Sequence, residues 1–299
     1  MLLRSNYAPS GGESNVIAAF LILAHSRPRQ VARLVKSLPA ASPVVIHFDA
    51  RADPIDWAML TSLLSNRPNI WFARRRSCFW GTFSLVEATI AMIKTLTARN
   101  INYDRVTLLS GADYPLLGEE QLKTRLDQAP AAEHLESFAL ECPNRWDANT
   151  DPFRTEDLYG RFHIGFRSRS VALFRRAPRP MGLPLYGGTQ WWSLTRACAQ
   201  YVHKFIDDNP RFVSFFRHCR TPDEVFFQTI IAHSPFRDAV TGSDLTLAYW
   251  DRPPPRPSTL TMSDLPSLLN CRDKLFARKF DLDRHGDVLD ALDAAAGRS

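Results

Sequence analysis

Four acidic residues in this 299-residue chain stand where chemistry could be done. Asp49 closes the apolar run 44–48, and Asp113 follows the run 106–109 across the small turn Ser110-Gly111-Ala112. In an open α/β sheet, ligands sit beyond the carboxyl ends of the strands, so both carboxylates are candidate ligand contacts. Asp223 and Glu224 open a helical pattern after Thr221 and Pro222. An acid held there could take the proton of an attacking hydroxyl. Ordinary readings compete. Ser, Gly, Asp and Pro punctuate turns, and Thr221, Pro222 and Glu224 spell a capping box with proline at the first helical position. Late in the chain, Arg252, Arg256 and Lys279 are fixed cations suited to a diphosphate. The one Asp-x-Asp, Asp281-Leu282-Asp283, is remote from the strand ends, and the turn 110–114 holds a single acid. The expectation is a site with no obligatory metal and no other cofactor.

Other chemistries leave no signature. Ser110 is not in GxSxG, no HExxH occurs, and no close trio of histidines offers metal ligands. The first apolar run is not followed by GxGxxG and no GxxxxGK[ST] exists, which excludes dinucleotide and P-loop readings. A hydrophobic share of 45% with 23% charged residues is that of a globular protein. The net charge of +6 comes from dispersed arginines, densest at Arg74-Arg75-Arg76, and favours acidic partners such as a nucleotide diphosphate or an anionic lipid surface. Nucleic acid is not an expected partner. Five cysteines without a CxxC argue for reduced thiols. The apolar run 16–24 is too short for a membrane span, and no leader is recognisable. A cytoplasmic protein is expected, at most peripheral to the inner face of a membrane.

The elements that must position these residues alternate regularly. Residues 1–14 are polar, with Gly and Pro, and are expected to be disordered. The run 16–24 reads as a central parallel strand covered on both faces. A helix from Pro28, a strand over 44–48, a helix over 54–64, a short strand at 70–73, a strong amphipathic helix over 83–98, a strand over 106–109 and a helix over 119–128 follow. This alternation predicts an α/β fold, a Rossmann-like, mostly parallel sheet flanked by helices, with residues 15–130 as a nucleotide-binding half. Residues 141–185, rich in proline and aromatics, read as an irregular insertion covering the acceptor side of a half that spans 131–285. In Gly187-Gly188-Thr189-Gln190-Trp191-Trp192, the glycines permit close backbone approach. The tryptophans alternate faces, one for the core and one for a groove. Helices over 196–207 and 221–233, a strand at 245–250 and a proline-rich connector over 251–257 come next. Residues 286–299 read as a short amphipathic helix and a loose tail.

Seven stretches, in order, then carry a resemblance. They are Leu21 to His25; Val45-Ile46-His47-Phe48-Asp49; Trp80-Gly81 through Phe83-Ser84-Leu85-Val86; Leu109 to Pro115; Gly188-Thr189-Gln190-Trp191-Trp192; Thr221-Pro222-Asp223-Glu224 with its following Phe-Phe; and Phe276 to Asp281. Together they resemble the core-2/I-branching β-1,6-N-acetylglucosaminyltransferase and peptide O-xylosyltransferase family, inverting enzymes of GT-A fold, over about residues 16 to 285. The resemblance implies transfer from a UDP-sugar, UDP-N-acetylglucosamine or UDP-xylose, to a hydroxyl, without an obligatory metal. It implies that Asp49 helps bind the nucleotide and that Lys279, with Arg252 or Arg256, holds the diphosphate. His25, Trp80 and Gly81 fall in matched stretches and join the donor contacts; Gln190 and Trp191 join the acceptor side. The chain departs from the pattern in one respect. The N-acetylglucosaminyl branch carries its base, a Glu, just before the Gly-Ser turn, where this chain reads Met181-Gly182-Leu183-Pro184-Leu185. The base therefore stays open among Glu224, Asp223 and Asp113. The expected acceptor is a glycan or glycolipid. A non-catalytic nucleotide-sugar or glycan-binding protein and a metal-dependent transferase are the alternatives.

Overall fold

The computed structural model describes residues 16–144, 146, 159–166, 169–175, 179–250 and 257–298. The stretch expected to be disordered, 1–14, and both Arg252 and Arg256 lie outside the described residues. The strands are β1 (Ala18–Ala24), β2 (Val44–Phe48), β3 (Ile70–Phe72), β4 (Arg105–Ser110), β5 (Asp113–Pro115), β6 (His134–Leu135), β7 (Phe138–Ala139), β8 (Arg161–Phe166), β9 (Arg169–Arg175), β10 (Tyr186–Gly187), β11 (Trp192–Thr195), β12 (Thr246–Ala248) and β13 (Phe276–Arg278). The first four helices are α1 (Pro28–Ser37), α2 (Pro54–Leu63), α3 (Ser84–Ala98) and α4 (Glu119–Asp127).

Among the described residues, the main sheet runs β3-β2-β1-β4-β11-β6. β3, β2, β1 and β4 are parallel, with Leu21 opposite both Val45 and Leu108; β11 runs antiparallel to β4, with Ser193 opposite Thr107. Every residue of β1 is buried, because its alternate side chains enter two separate cores. Leu21 and Leu23 pack with Val86 and Met92 of α3, and Phe20 and Ile22 pack with Val31 and Leu34 of α1. That two-sided burial, worth roughly 1.5–3 kcal/mol per large side chain, is why the run shows no polar alternation. The expected α/β layout is therefore present.

Four expectations are corrected. Asp113 does not end a free turn: it begins β5, which pairs antiparallel with β13 and sets Asp113 opposite Arg278. The stretch 141–185 is not wholly irregular, since β8 and β9 form an antiparallel pair with Ile164 opposite Val171. The tail is pinned rather than loose. The helix Leu282–Ala295 packs Val288, Leu289 and Leu292 into the core, and Arg298 donates to the carbonyls of Leu117 (2.6 Å) and Pro115 (3.1 Å). The capping box at Thr221 does not form. Thr221 adopts a left-handed conformation (φ 46°) without a side-chain cap, and its amide, which the box would give to the Glu224 carboxylate, donates to the Gly81 carbonyl at 3.0 Å. A short 3-10 turn (Pro222–Glu224) then precedes the helix Phe226–Ala232. A complete capping box occurs instead at Thr261 and Asp264.

Candidate functional site

The carboxyl ends of β1, β2 and β4 and the amino end of antiparallel β11 share one edge of the sheet. His25 follows β1, Asp49 follows β2, Ser110 ends β4, and Gln190-Trp191 lead into β11. From this edge a ring of contacts, short chain segments and longer-range electrostatic interactions runs through most of the candidate residues.

Asp49 is buried, and its amide is held by the Ala24 carbonyl at 2.8 Å. Its Oδ1 accepts from the amides of Arg51 (2.8 Å) and Cys78 (3.3 Å). Arg51 donates to the Cys78 carbonyl at 2.7 Å and lies over the Phe79 ring at 4.2 Å. Two residues on, Gly81 (φ 72°) turns its carbonyl to the Thr221 amide. Glu224, in the same short turn, accepts through its carbonyl from the Gly188 amide at 2.9 Å. Gly188 must be glycine, since a Cβ there would overlap the Glu136 carbonyl. Beyond Gly188, Trp191 carries the Arg278 guanidinium over its ring at 4.0 Å, and Arg278 reaches Asp113 at 3.3 Å. Lys279, half-buried, then acts electrostatically on both Asp113 and His25. Packing around the His25 ring lowers its pKa; Asp49 opposes this, and Lys279, Arg27 and Arg51 add to it. Those four charges therefore act on His25, and the link back to Asp49 is electrostatic.

Asp113 and Arg278 form a buried ion pair, and Ser110 supplies Asp113 with an amide (2.8 Å) and a hydroxyl (2.5 Å). Burial pushes Asp113 above the usual carboxylate range and Arg278 below its own; their mutual attraction opposes both shifts. Every oxygen of Asp113 is committed inside the protein, so it shapes the edge rather than meeting solvent. Asp223 differs. It is buried, its Oδ1 has no hydrogen-bond partner, and burial pushes its pKa up to about 6. Glu224 is half-buried, and its charge together with the burial of Tyr159 raises the Tyr159 phenol well above its ordinary value, burial being the larger cause.

Of the expected donor contacts, His25 feels the charges of both Asp49 and Lys279, and the Gly81 carbonyl joins the Thr221–Glu224 turn to the loop that holds Asp49. Trp80 stands 66% exposed beside Gly81. Both tryptophans of β11 and its lead-in are buried, Trp192 against Phe227 and Trp191 beneath Arg278, so Trp191 offers no open groove face on the Arg278 side. Gln190 has an amide nitrogen that is buried without a partner. Arg278, one residue before Lys279, was missed because an arginine inside a strand reads as surface charge. Gln30 was missed for a similar reason. It sits buried in α1, donates to the carbonyls of Gly111 (2.9 Å) and Phe280 (3.0 Å), and accepts from the Leu282 amide. It thereby ties α1 and the loop after β4 to the C-terminal segment. Among the described residues, no group of three or more His, Cys, Asp or Glu side chains is arranged to hold a metal ion, and no helix is long and apolar enough to cross a membrane.

The family model of the core-2/I-branching enzymes matches residues 18–269, spanning every one of the edge residues except those on and after β13. The chain belongs to the core-2/I-branching enzyme family. Among curated relatives, the xylosyltransferase oxt of Drosophila melanogaster is 29% identical over 82% of this chain and 27% of its own length. Human xylosyltransferase 1 is 27% identical over 78% of this chain and 24% of its own length. The β-glucuronosyltransferase GlcAT14A of Arabidopsis thaliana is 27% identical over 70% of this chain and 46% of its own length. The family member described here thus spans about a quarter to a half of the length of these relatives. A solved structure of core-mannan synthase A from Aspergillus fumigatus, in its Mn/GDP form, overlays on 78% of this chain and 74% of its own at a TM-score of 0.37 and 8% identity, too loose a match to carry an argument about the site.

Proposed function

We propose that this chain is an inverting glycosyltransferase that moves a sugar, N-acetylglucosamine or xylose, from a UDP-sugar to a hydroxyl of a glycan or glycolipid, without an obligatory metal. The observation that carries the proposal is the sheet edge, where His25 and Asp49 follow parallel strands, Lys279 and Asp49 both act electrostatically on His25, and the Gly81 carbonyl joins the Thr221–Glu224 turn to the loop that holds Asp49. Open α/β sheets bind nucleotides at that edge. On this reading Asp49 and His25 contact the nucleotide, and Lys279 meets the diphosphate as a fixed cation. Glu224 takes the acceptor proton as the acceptor oxygen forms its bond to the anomeric carbon. The bond from that carbon to the UDP oxygen breaks on the opposite face, and UDP departs with the electron pair beside Lys279. Asp113, tied to Arg278 and Ser110, keeps β5 and β13 in register so that Lys279 holds its place. Support for a metal-free reaction rests on the single acid of the turn 110–114 and on Lys279.

The test is UDP release from UDP-N-acetylglucosamine, UDP-xylose and other UDP-sugars by purified protein in EDTA. Release from one donor is the expected result. Activity that returns only on adding manganese would replace the metal-free reading. UDP binding without turnover on any donor would leave a nucleotide-sugar-binding protein, in line with the absence of an acid at 181–185.

A further inference from the structure

Two surface features outside the ring meet at Arg217-His218. The first is the hairpin of β8 and β9. Ile164, Val171, Leu173 and Phe174 are 46–62% exposed, an unusual concentration of apolar surface for one short element. Ile164 lies opposite Val171 across the pair, and Leu173 and Phe174 fall in the part of β9 where the register shifts between Ala172 and Arg175. The hairpin is anchored at His218, and Phe174 stacks on Phe162 at 5.2 Å. The His163 amide donates to the His218 carbonyl at 2.9 Å, and the Phe162 ring stacks on His218 at 4.0 Å. The second feature is a groove of about 560 Å³ beside α3, lined by Arg74, Arg76, Lys94, Arg99 and Arg217 over an apolar floor. Glu87 is the only acid in its lining, and it is shared by Arg76 and Arg217. Lys94 is paired with Asp207 at 2.8 Å. Five cations against these two acids leave the groove strongly positive.

We propose that this surface binds an anionic phospholipid bilayer, with the groove receiving headgroup phosphates and the exposed apolar side chains of the hairpin entering the interface. Apolar side chains beside a cationic patch are the combination that holds peripheral proteins on anionic lipid. A second copy of the chain is a poor occupant, because a two-fold contact through this face would set its cations against their own copies. The face lies beside the candidate base: Tyr159, two residues before β8, reaches the Thr221 carbonyl at 3.4 Å. Membrane binding would therefore bring the Thr221–Glu224 turn toward acceptors carried in the lipid. The inference stands apart from the transfer reading, since its test needs no donor.

The experiment is co-sedimentation of the full chain with vesicles of phosphatidylcholine alone and of an equimolar mixture with phosphatidylglycerol. Binding to the mixed vesicles only, weakening as salt rises, is expected. Leu173→Ser with Phe174→Ser lowers that partition about tenfold or more. Arg74→Gln with Arg99→Gln lowers it about 25-fold, at about fivefold per lost cation. The second pair lies on other elements, so it keeps the test alive if the hairpin variant misfolds; circular dichroism of each variant checks this. Absence of binding to mixed vesicles at low salt, equal binding to neutral vesicles, or wild-type partition in the folded variants would overturn the proposal. So would a dimer in analytical ultracentrifugation that the hairpin variant converts to monomer.

Discussion

Replacing Arg278 by methionine tests whether the Asp113–Arg278 pair holds the site's edge together. Asp113 is completely buried and Arg278 is 9% exposed, so the variant strands a carboxylate in a medium that cannot solvate it. Removing one partner of a buried pair costs about 3–5 kcal/mol. Asp113 keeps two bonds from Ser110, at 2.8 and 2.5 Å, and methionine keeps apolar contact with Trp191. The lower end, about 3 kcal/mol, is therefore expected. That is a large part of the 5–15 kcal/mol typical of a folded domain. The pH dependence has a definite sign. Burial already raises Asp113 in the folded state, and losing Arg278 raises it further. The folded variant takes up a proton before the unfolded chain does, so its stability is regained as pH falls and lost as pH rises through the acid range. Urea unfolding at neutral and acid pH measures both effects. Adding Asp113→Asn removes the stranded charge while keeping an acceptor for Ser110, so the double variant should recover at least about 1.5 kcal/mol. An Arg278→Met protein within about 1 kcal/mol of wild type, or a double variant no more stable than the single, would refute the reasoning.

Asp223→Asn should act in the opposite direction. Its carboxyl is pushed up to about 6 by burial, so wild-type stability declines as pH rises from about 4 to 6 and stays lower above. Up to about 3 kcal/mol of that loss should be absent in the variant at pH 7, and a variant less stable than wild type at neutral pH would contradict the assignment. Glu224→Gln should abolish sugar transfer while leaving UDP affinity unchanged by calorimetry; a fully active variant removes Glu224 as the base. Lys279→Ala should weaken UDP binding about tenfold or more, as loss of a charge-assisted contact of 1.5–3 kcal/mol implies, and unchanged affinity would end its diphosphate role.

Local pattern was enough for the strands and helices that make the sheet. The unbroken apolar run of β1, the helical spacing of α1 and α3, and the acids placed after β2 and β4 are all consequences of neighbours in the chain. The order of seven short stretches was enough for the family. Long-range pairing decided the rest. Asp113 reads as a turn residue because its partner, Arg278, lies 165 positions away and meets it only when β13 adds to β5. Thr221 reads as a helix cap because the Gly81 carbonyl that claims its amide belongs to another loop. Gln30 reads as one polar residue on a helix, yet it stitches α1 and the loop after β4 to the chain's C-terminal segment. Sequence by itself determined where strands end and which charges stand there, since burial and periodicity are local. Tertiary structure alone decided which of those charges are neutralised inside the protein and which face the open edge, because a charge is priced by what surrounds it in space.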